Sequence, residues 1–200
     1  ITWLSGGQVQ AWIISLGVLV QAAAVMMVLR EKWTTPHLLK IFLSVLCVTW
    51  AVEWVGSTTG IPFGRYAYTA ELQPQLGGVP LVVPLAWWMM LPAAWGIVSR
   101  LASPSRRVLF AMLSGLAFTS WDLYLAPQMV SFGLWTWQTP GSYFGIPLLN
   151  FLGWWLVSTG ITWVLNPGDL PIRPLAVIFS FTWILEAVGL GLFWGQPGPA

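Results

Sequence analysis

The twenty residues from Pro80 to Ser99, PLVVPLAWWMMLPAAWGIVS, carry no charge and a single hydroxyl. As an α-helix this stretch measures about 30 Å, the thickness of the hydrocarbon core of a bilayer. It is read as a membrane span, with five further apolar runs, two before it and three after: about 8–29, 38–57, 107–126, 146–165 and 174–194. Turn-forming words mark most of the breaks, at Thr35-Pro36, Ser103-Pro104, Thr139-Pro140-Gly141 and Asn166-Pro167-Gly168. Composition agrees with the spans. Apolar residues make up 57% of the chain and charged residues 7%, against about 25% charged in a soluble domain. So few charges could not dissolve the surface of a globule, whereas lipid as the solvent removes the difficulty. The expectation is an all-α integral membrane protein, one domain over residues 1–200, built as a bundle of six transmembrane helices, with length enough for a seventh.

The eight basic residues orient the bundle. Arg30, Lys32 and Lys40 flank the first connection, Arg100, Arg106 and Arg107 the third, and Arg173 the fifth; only Arg65 falls at the other end. The positive-inside rule makes the basic connections cytoplasmic. A multi-pass protein of the plasma membrane is expected, with both termini outside. The long connections 58–79 and 127–145 would also lie outside. They are rich in Gly, Pro, Tyr and Trp and nearly uncharged, so they are expected to fold back over the membrane. The net charge of +2 is scattered over helix ends, which leaves no basic patch for nucleic acid. Cys47 is alone and excludes an internal disulfide; with the single His37 it gives no Cys/His metal set. Cys47 reads as a small core hydrophobe and His37 as a loop residue at the inner interface. The start at Ile1 shows no basic leader, so no signal peptide is expected.

An internal repeat runs through the chain. Gly78-Val79-Pro80-Leu81 with Leu85-Ala86-Trp87-Trp88 returns 67 residues later as Gly145-Ile146-Pro147-Leu148 with Leu152-Gly153-Trp154-Trp155. Upstream, Glu53 matches Asp122, and Tyr66 and Tyr68 match Trp135 and Trp137, all at a spacing of 69. Spans two–three and four–five thus read as two copies of a two-helix unit in the same orientation. Glu186, 64 residues beyond Asp122, is compatible with a third copy that the first span completes.

Three carboxylates fall inside spans: Glu53, Asp122 and Glu186. Each lies 13 or 15 residues beyond a basic residue at the start of its helix, hence about 20 Å from that face. Three acids at one depth, with no basic residue inside their helices and only Arg65 able to fold in from a loop, are expected to hold at least one proton at neutral pH. A protonated carboxylic acid in a dry pocket is a general acid. The competing reading is structural, an acid hydrogen-bonded to a neighbouring helix.

Sixteen tryptophans are the second feature. Interfacial belts account for many, including Trp3, Trp33 and Trp194. They account less well for Trp50 and Trp54 around Glu53, Trp121 beside Asp122, and Trp183 one turn before Glu186. Rings in the layer of the acids would stabilise a carbocation through their quadrupoles, by up to about 2 kcal/mol when desolvated; plain packing is the alternative. Asn150 is an amide in an apolar run, placed to hold a water, to partner an acid or to bond between helices. Tyr66, Tyr68, Tyr143 and Gln128 lie in or beside the outer loops.

These segments resemble a known family. They are Glu53-Trp54-Val55-Gly56, Thr59 to Tyr68, Gly78 to Trp87, Trp121-Asp122-Leu123-Tyr124-Leu125-Ala126-Pro127-Gln128-Met129, and Tyr143 to Trp154. Together they look like the CruF carotenoid hydratases, over roughly residues 50–160. The resemblance implies addition of water across the terminal C-1',2' double bond of an acyclic ψ-end, as in γ-carotene or lycopene, with neither redox cofactor nor metal. It implies a carotenoid substrate taken from the bilayer. On this reading Asp122 is the proton donor, Glu53 positions or deprotonates the water, Glu186 supports them and Asn150 partners a water or an acid. Trp50, Trp54, Trp87, Trp121, Trp154, Trp183, Arg65, Tyr66, Tyr68, Tyr143, Ala126 and Gln128 would contact substrate. Ala126 departs from the family pattern, which has aspartate there; four residues from Asp122, it would share a helix face with it. If that aspartate is the family's acid, this chain is an inactive form.

Two other readings stand beside this one. A membrane lycopene cyclase protonates the same end group but captures the cation with a neighbouring alkene; the Pro-x-Glu signature associated with those enzymes is absent. A carotenoid-binding protein would bind without turnover. The sequence does not set the oligomeric state.

Overall fold

The computed structural model describes residues 6–192. Six helices form the bundle: α1 (Gly6–Leu29), α2 (Thr35–Thr59), α3 (Val82–Val98), α4 (Arg107–Ser131), α5 (Leu148–Leu165) and α6 (Ile172–Leu192). All except α3 are long and apolar enough to cross a membrane. Short strands cap one end: β1 (Tyr66–Tyr68), β2 (Gln75–Leu76), β3 (Val79–Pro80) and β4 (Trp135–Trp137). Trp3, Trp194 and the end of the sixth expected span lie outside the described residues.

Local chemistry sets the helix ends. Pro36 sits in the first turn of α2, where its missing N–H costs nothing. Gly60 ends that helix at a φ of 84°, its N–H returning to the Gly56 carbonyl, the left-handed stop that glycine supplies without strain. At the other end of the bundle the Arg107 guanidinium donates to the last carbonyls of α5, those of Trp163 at 2.6 Å and Val164 at 3.2 Å, which no helical N–H satisfies.

The helix α3 stands at the centre, packed against α1, α2, α4 and α6. Trp87, Trp88 and Trp95 on it are fully buried, as expected of a helix apolar on every side. It has 17 residues, shorter than the expected span because Val79 and Pro80 pair with β2 instead. Helices approach closely where a side chain is missing. A Cβ on Gly115 would stand 2.2 Å from Thr159 Oγ1 across the α4–α5 contact, and one on Gly96 would stand 2.3 Å from the Leu175 Cβ across α3–α6.

One boundary differs from the sequence reading. The break placed at 126 is absent, and α4 runs through Pro127 to Ser131. Proline removes the N–H that would bond the Leu123 carbonyl, and the Tyr143 hydroxyl donates to that carbonyl at 2.8 Å. A loop side chain thus repairs the helix that the proline interrupts.

The two long connections meet over the bundle. Strands β1 and β4 pair antiparallel, with Tyr66 opposite Trp137, Ala67 opposite Thr136 and Tyr68 opposite Trp135. The repeat matches Tyr66 to Trp135, Ala67 to Thr136 and Tyr68 to Trp137, each 69 apart, so the two copies pair with each other about an approximate two-fold at Ala67–Thr136. A second match supports this: Leu76 bridges Val79 in one copy and Tyr143 bridges Ile146 in the other. Three lesser expectations change. Cys47 is exposed rather than core. His37 lies in the first turn of α2, edge-on to Trp33 at 4.8 Å. Trp33 itself is buried, its indole donating to the Asp169 carbonyl at 2.8 Å.

Candidate functional site

Glu53 on α2 and Asp122 on α4 occupy equivalent places in the two copies, and both line one small void beneath the strand cap. Its volume is about 10 Å³. Tyr66, Tyr68, Trp135 and Trp137 from the strands close it on one side, and Asn150 and Trp154 from α5 on another. Both acids are out of contact with solvent and lipid, at 2% and 0% exposure.

The two carboxylates are bonded differently. Glu53 Oε2 accepts from the Tyr66 hydroxyl and, at 2.7 Å, from the Tyr68 hydroxyl; Oε1 accepts from the Trp87 indole at 3.2 Å. Burial first, and the Glu53 charge second, push the Tyr66 and Tyr68 phenols above the ordinary phenol range, so they remain donors. Asp122 Oδ2 accepts from the Asn150 amide at 2.8 Å, while Oδ1 is buried with no partner from the protein. The difference is built into the repeat. The equivalents of Tyr66 and Tyr68 are Trp135 and Trp137, and the equivalent of Asn150 is Val83.

A larger cavity of about 410 Å³ lies between α1, α3, α4 and α6. Its lining is mainly apolar, and Trp87, Trp121 and Trp154 stand on its inner wall. Ile13, Phe181 and Leu185 on its rim are 65%, 63% and 53% exposed, so it opens sideways between α1 and α6, where lipid would lie. Trp154 and Trp135 line both spaces. Trp154 is held by stacking on Trp87 at 4.7 Å and on Phe118 at 5.2 Å.

The structure does not place all the sequence candidates together. Glu186 stands apart from the acid pair, in the larger cavity, where Gln128 Nε2 donates to its Oε2 at 2.6 Å. Trp50 and Trp54 lie on the outside of α2, stacked at 6.4 Å, with Trp54 45% exposed. They share a face because they are four apart; Trp50 donates its indole N–H to the Leu76 carbonyl at 3.2 Å, and neither ring lines the void with Glu53. Trp183 packs edge-on to Tyr124 at 4.9 Å and donates to Ser120 Oγ at 3.2 Å, lining neither space. Arg65 is exposed at the surface of the cap. Ala126 is fully buried and lines neither space. The sequence reading missed Phe63, Phe118, Trp135 and Trp137 as site residues. The last two were marked only by their match to Tyr66 and Tyr68. Among the described residues no three of His, Cys, Asp and Glu come together as a metal-ligand set.

No solved structure matches the chain. Over 114 residues it is 32% identical to the bisanhydrobacterioruberin hydratase of Haloarcula japonica, a match taking in 54% of this chain and 38% of that protein. The chain therefore spans well under half the length of this relative. The pattern of the family described as carotenoid biosynthesis protein matches residues 13–169, most of the sequence. An apolar, laterally open cavity beside buried acids suits a hydrocarbon substrate, and by the extent of the family match the chain belongs to the carotenoid biosynthesis protein family.

Proposed function

We propose that the chain is a carotenoid hydratase, adding water across the C-1',2' double bond of an acyclic ψ-end such as that of γ-carotene or lycopene. One observation carries this reading. Two buried carboxylates share a void but are bonded in opposite ways, next to a tryptophan-walled cavity open to lipid. Glu53 is surrounded by donors, the environment of a carboxylate acting as base. Asp122 meets one amide and keeps an oxygen free, the environment of an acid with a proton to give. The name of the Haloarcula relative supports the same reaction type.

The polyene slides from the bilayer between α1 and α6, with its end group toward Trp154. Asp122 protonates C-2', and the π electrons of the double bond form the new C–H bond. The positive charge develops at tertiary C-1', facing the Trp87, Trp121 and Trp154 rings, whose quadrupoles are worth up to about 2 kcal/mol in a desolvated site. A water oxygen then bonds to C-1' and its proton passes to Glu53. Return of one proton from Glu53 to Asp122 restores the pair, so alkene and water give a tertiary alcohol with nothing left over. Glu186 and Gln128 line the cavity along which the polyene lies. The same reading puts the basic end of the bundle in the cytoplasm and the cap outside the plasma membrane.

The test is expression in cells making lycopene and γ-carotene, with the extracted pigments analysed by mass and absorption. A gain of one water with the chromophore unchanged is expected from the chain as it stands. Gain only by the Ala126→Asp variant would move proton donation from Asp122 to position 126. An isomer of unchanged mass would make the chain a cyclase, and unchanged pigment retained on the purified protein would make it a binder.

A further inference from the structure

The void between Glu53 and Asp122 belongs to the polar half of the site. Its volume is about 10 Å³, roughly the 10–15 Å³ that one water molecule needs. A polyene end group does not fit such a space. Two buried groups on its wall lack protein partners: Asp122 Oδ1, which donates to a water when the acid is protonated and accepts once the proton has gone, and the Trp135 indole N–H, which donates. A buried polar atom left unpaired is costly, and a buried water typically makes about three hydrogen bonds. Glu53, on the same wall, supplies the third.

We infer that this void is a single-water site, with the water accepting from Trp135 and bridging Asp122 to Glu53. The water is reached from the strand-capped end of the protein rather than from lipid. The closing residues on that side are Tyr66, Tyr68, Trp135 and Trp137 of β1 and β4, and Tyr68 is only half-buried. The hydrocarbon arrives through the gap between α1 and α6. The two reactants thus approach from different directions and meet at Trp154, which lines both spaces. That this water is the one added to the polyene rests on the hydratase reading; its presence does not.

The experiment is a structure of the full chain in lipid nanodiscs, at a resolution where buried waters are visible. One peak is expected within hydrogen-bond distance of Asp122 Oδ1 and the Trp135 indole nitrogen. It should be lost in Asp122→Leu, and weakened in Trp135→Phe, which keeps the ring and removes the N–H. A dry void in the unaltered protein, in a map that shows other buried waters, overturns the inference, as does a peak that persists in Asp122→Leu. The pigment assay on the same protein separates the two claims. A water peak without hydration leaves the site standing and removes the hydratase reading, while hydration with a dry void does the reverse.

Discussion

Trp87 and Trp154, equivalent residues of the two repeat copies, stack on each other with ring centroids 4.7 Å apart and planes 28° apart. Trp87 also donates its indole N–H to Glu53, whereas Trp154 stands between the acid void and the larger cavity. Both rings line the larger cavity, but only Trp87 holds an acid and only Trp154 lines the acid void as well. Replacing Trp154 with Leu should remove a cation-facing ring without removing either acid. At about 1–2 kcal/mol for a desolvated cation–π contact, hydration should fall roughly 5- to 30-fold. Trp54→Leu, on the outside of α2, should leave the rate unchanged. Equal effects from the two variants would mean that the rings serve packing alone.

Asp122→Asn keeps the shape of the side chain but cannot hold the acidic proton. General acid–base catalysis contributes about 10²- to 10⁴-fold, and a loss of that size in hydrated pigment is expected. Glu53→Gln should lose a similar factor, because its amide cannot take the proton from water. Thermal unfolding in detergent checks that both variants fold. Full activity in Asp122→Asn would remove Asp122 as donor.

Gly17 lines the larger cavity and faces open space, with nothing within 4 Å of a Cβ built there. Gly17→Trp should therefore fold normally, and replacing a mid-helix glycine even favours the helix, Gly being about 1 kcal/mol worse than Ala there. The indole would narrow the gap between α1 and α6. Slower hydration with an unchanged melting temperature is expected. An unaffected rate would argue that the polyene comes in elsewhere.

Gly115→Leu and Gly96→Leu should do the opposite, because each drives a side chain into a neighbouring helix. The atoms in the way include the Trp155 carbonyl, 2.9 Å from a Cβ on Gly115, and the backbone nitrogen of Ala176, 3.0 Å from one on Gly96. Backbone cannot swing aside as a side chain can. Overpacking typically costs about 1–3 kcal/mol, which a melting curve in detergent resolves. Melting temperatures equal to that of the parent would show that these helices separate freely.

The phenols of Tyr66 and Tyr68 are raised above the ordinary value of 10.0 by burial and then by Glu53. Burial first, then the neighbouring Tyr124 and Asp122, push Tyr143 up to about 12. The folded state thus favours the neutral phenol. Their contribution to stability is complete below pH about 10 and is lost as pH rises through the folded values. A fall in melting temperature beginning above pH about 10 is expected, shallower in Tyr68→Phe. Parallel curves for variant and parent would show that Tyr68 plays no part.

The helices were legible in the sequence because a bilayer demands long apolar runs, and the six spans agree with α1–α6 apart from a few end residues. The fourth span was ended at about residue 126, and the residue that satisfies the carbonyl freed by Pro127, Tyr143, comes from a distant loop. The repeat was legible by spacing, and it identified Glu53 and Asp122 as counterparts. The strand pairing between Tyr66 and Trp137 was not, since hydropathy says nothing about which loops meet. Trp50 and Trp54 were assigned to the site for their nearness to Glu53 along the chain, but Trp54, as the next residue, points in a different direction, and the Trp50 indole is drawn to the Leu76 carbonyl of the cap. The partners Glu53 does find, Tyr66, Tyr68 and Trp87, come from 13 to 34 residues away.

The approximate two-fold at Ala67–Thr136 bears on how such a site is able to arise. Two separate but identical two-helix subunits meeting on that axis would be bound to carry identical acids in identical surroundings, and every improvement to one would be imposed on the other. Joining the halves in a single polypeptide lifts that constraint. Each half then accumulates its own substitutions: phenols in one place, indoles in the matching place, an amide on one side where the other keeps a valine. The covalent link between the halves thereby turns a symmetric frame into a place where two similar groups take opposite parts.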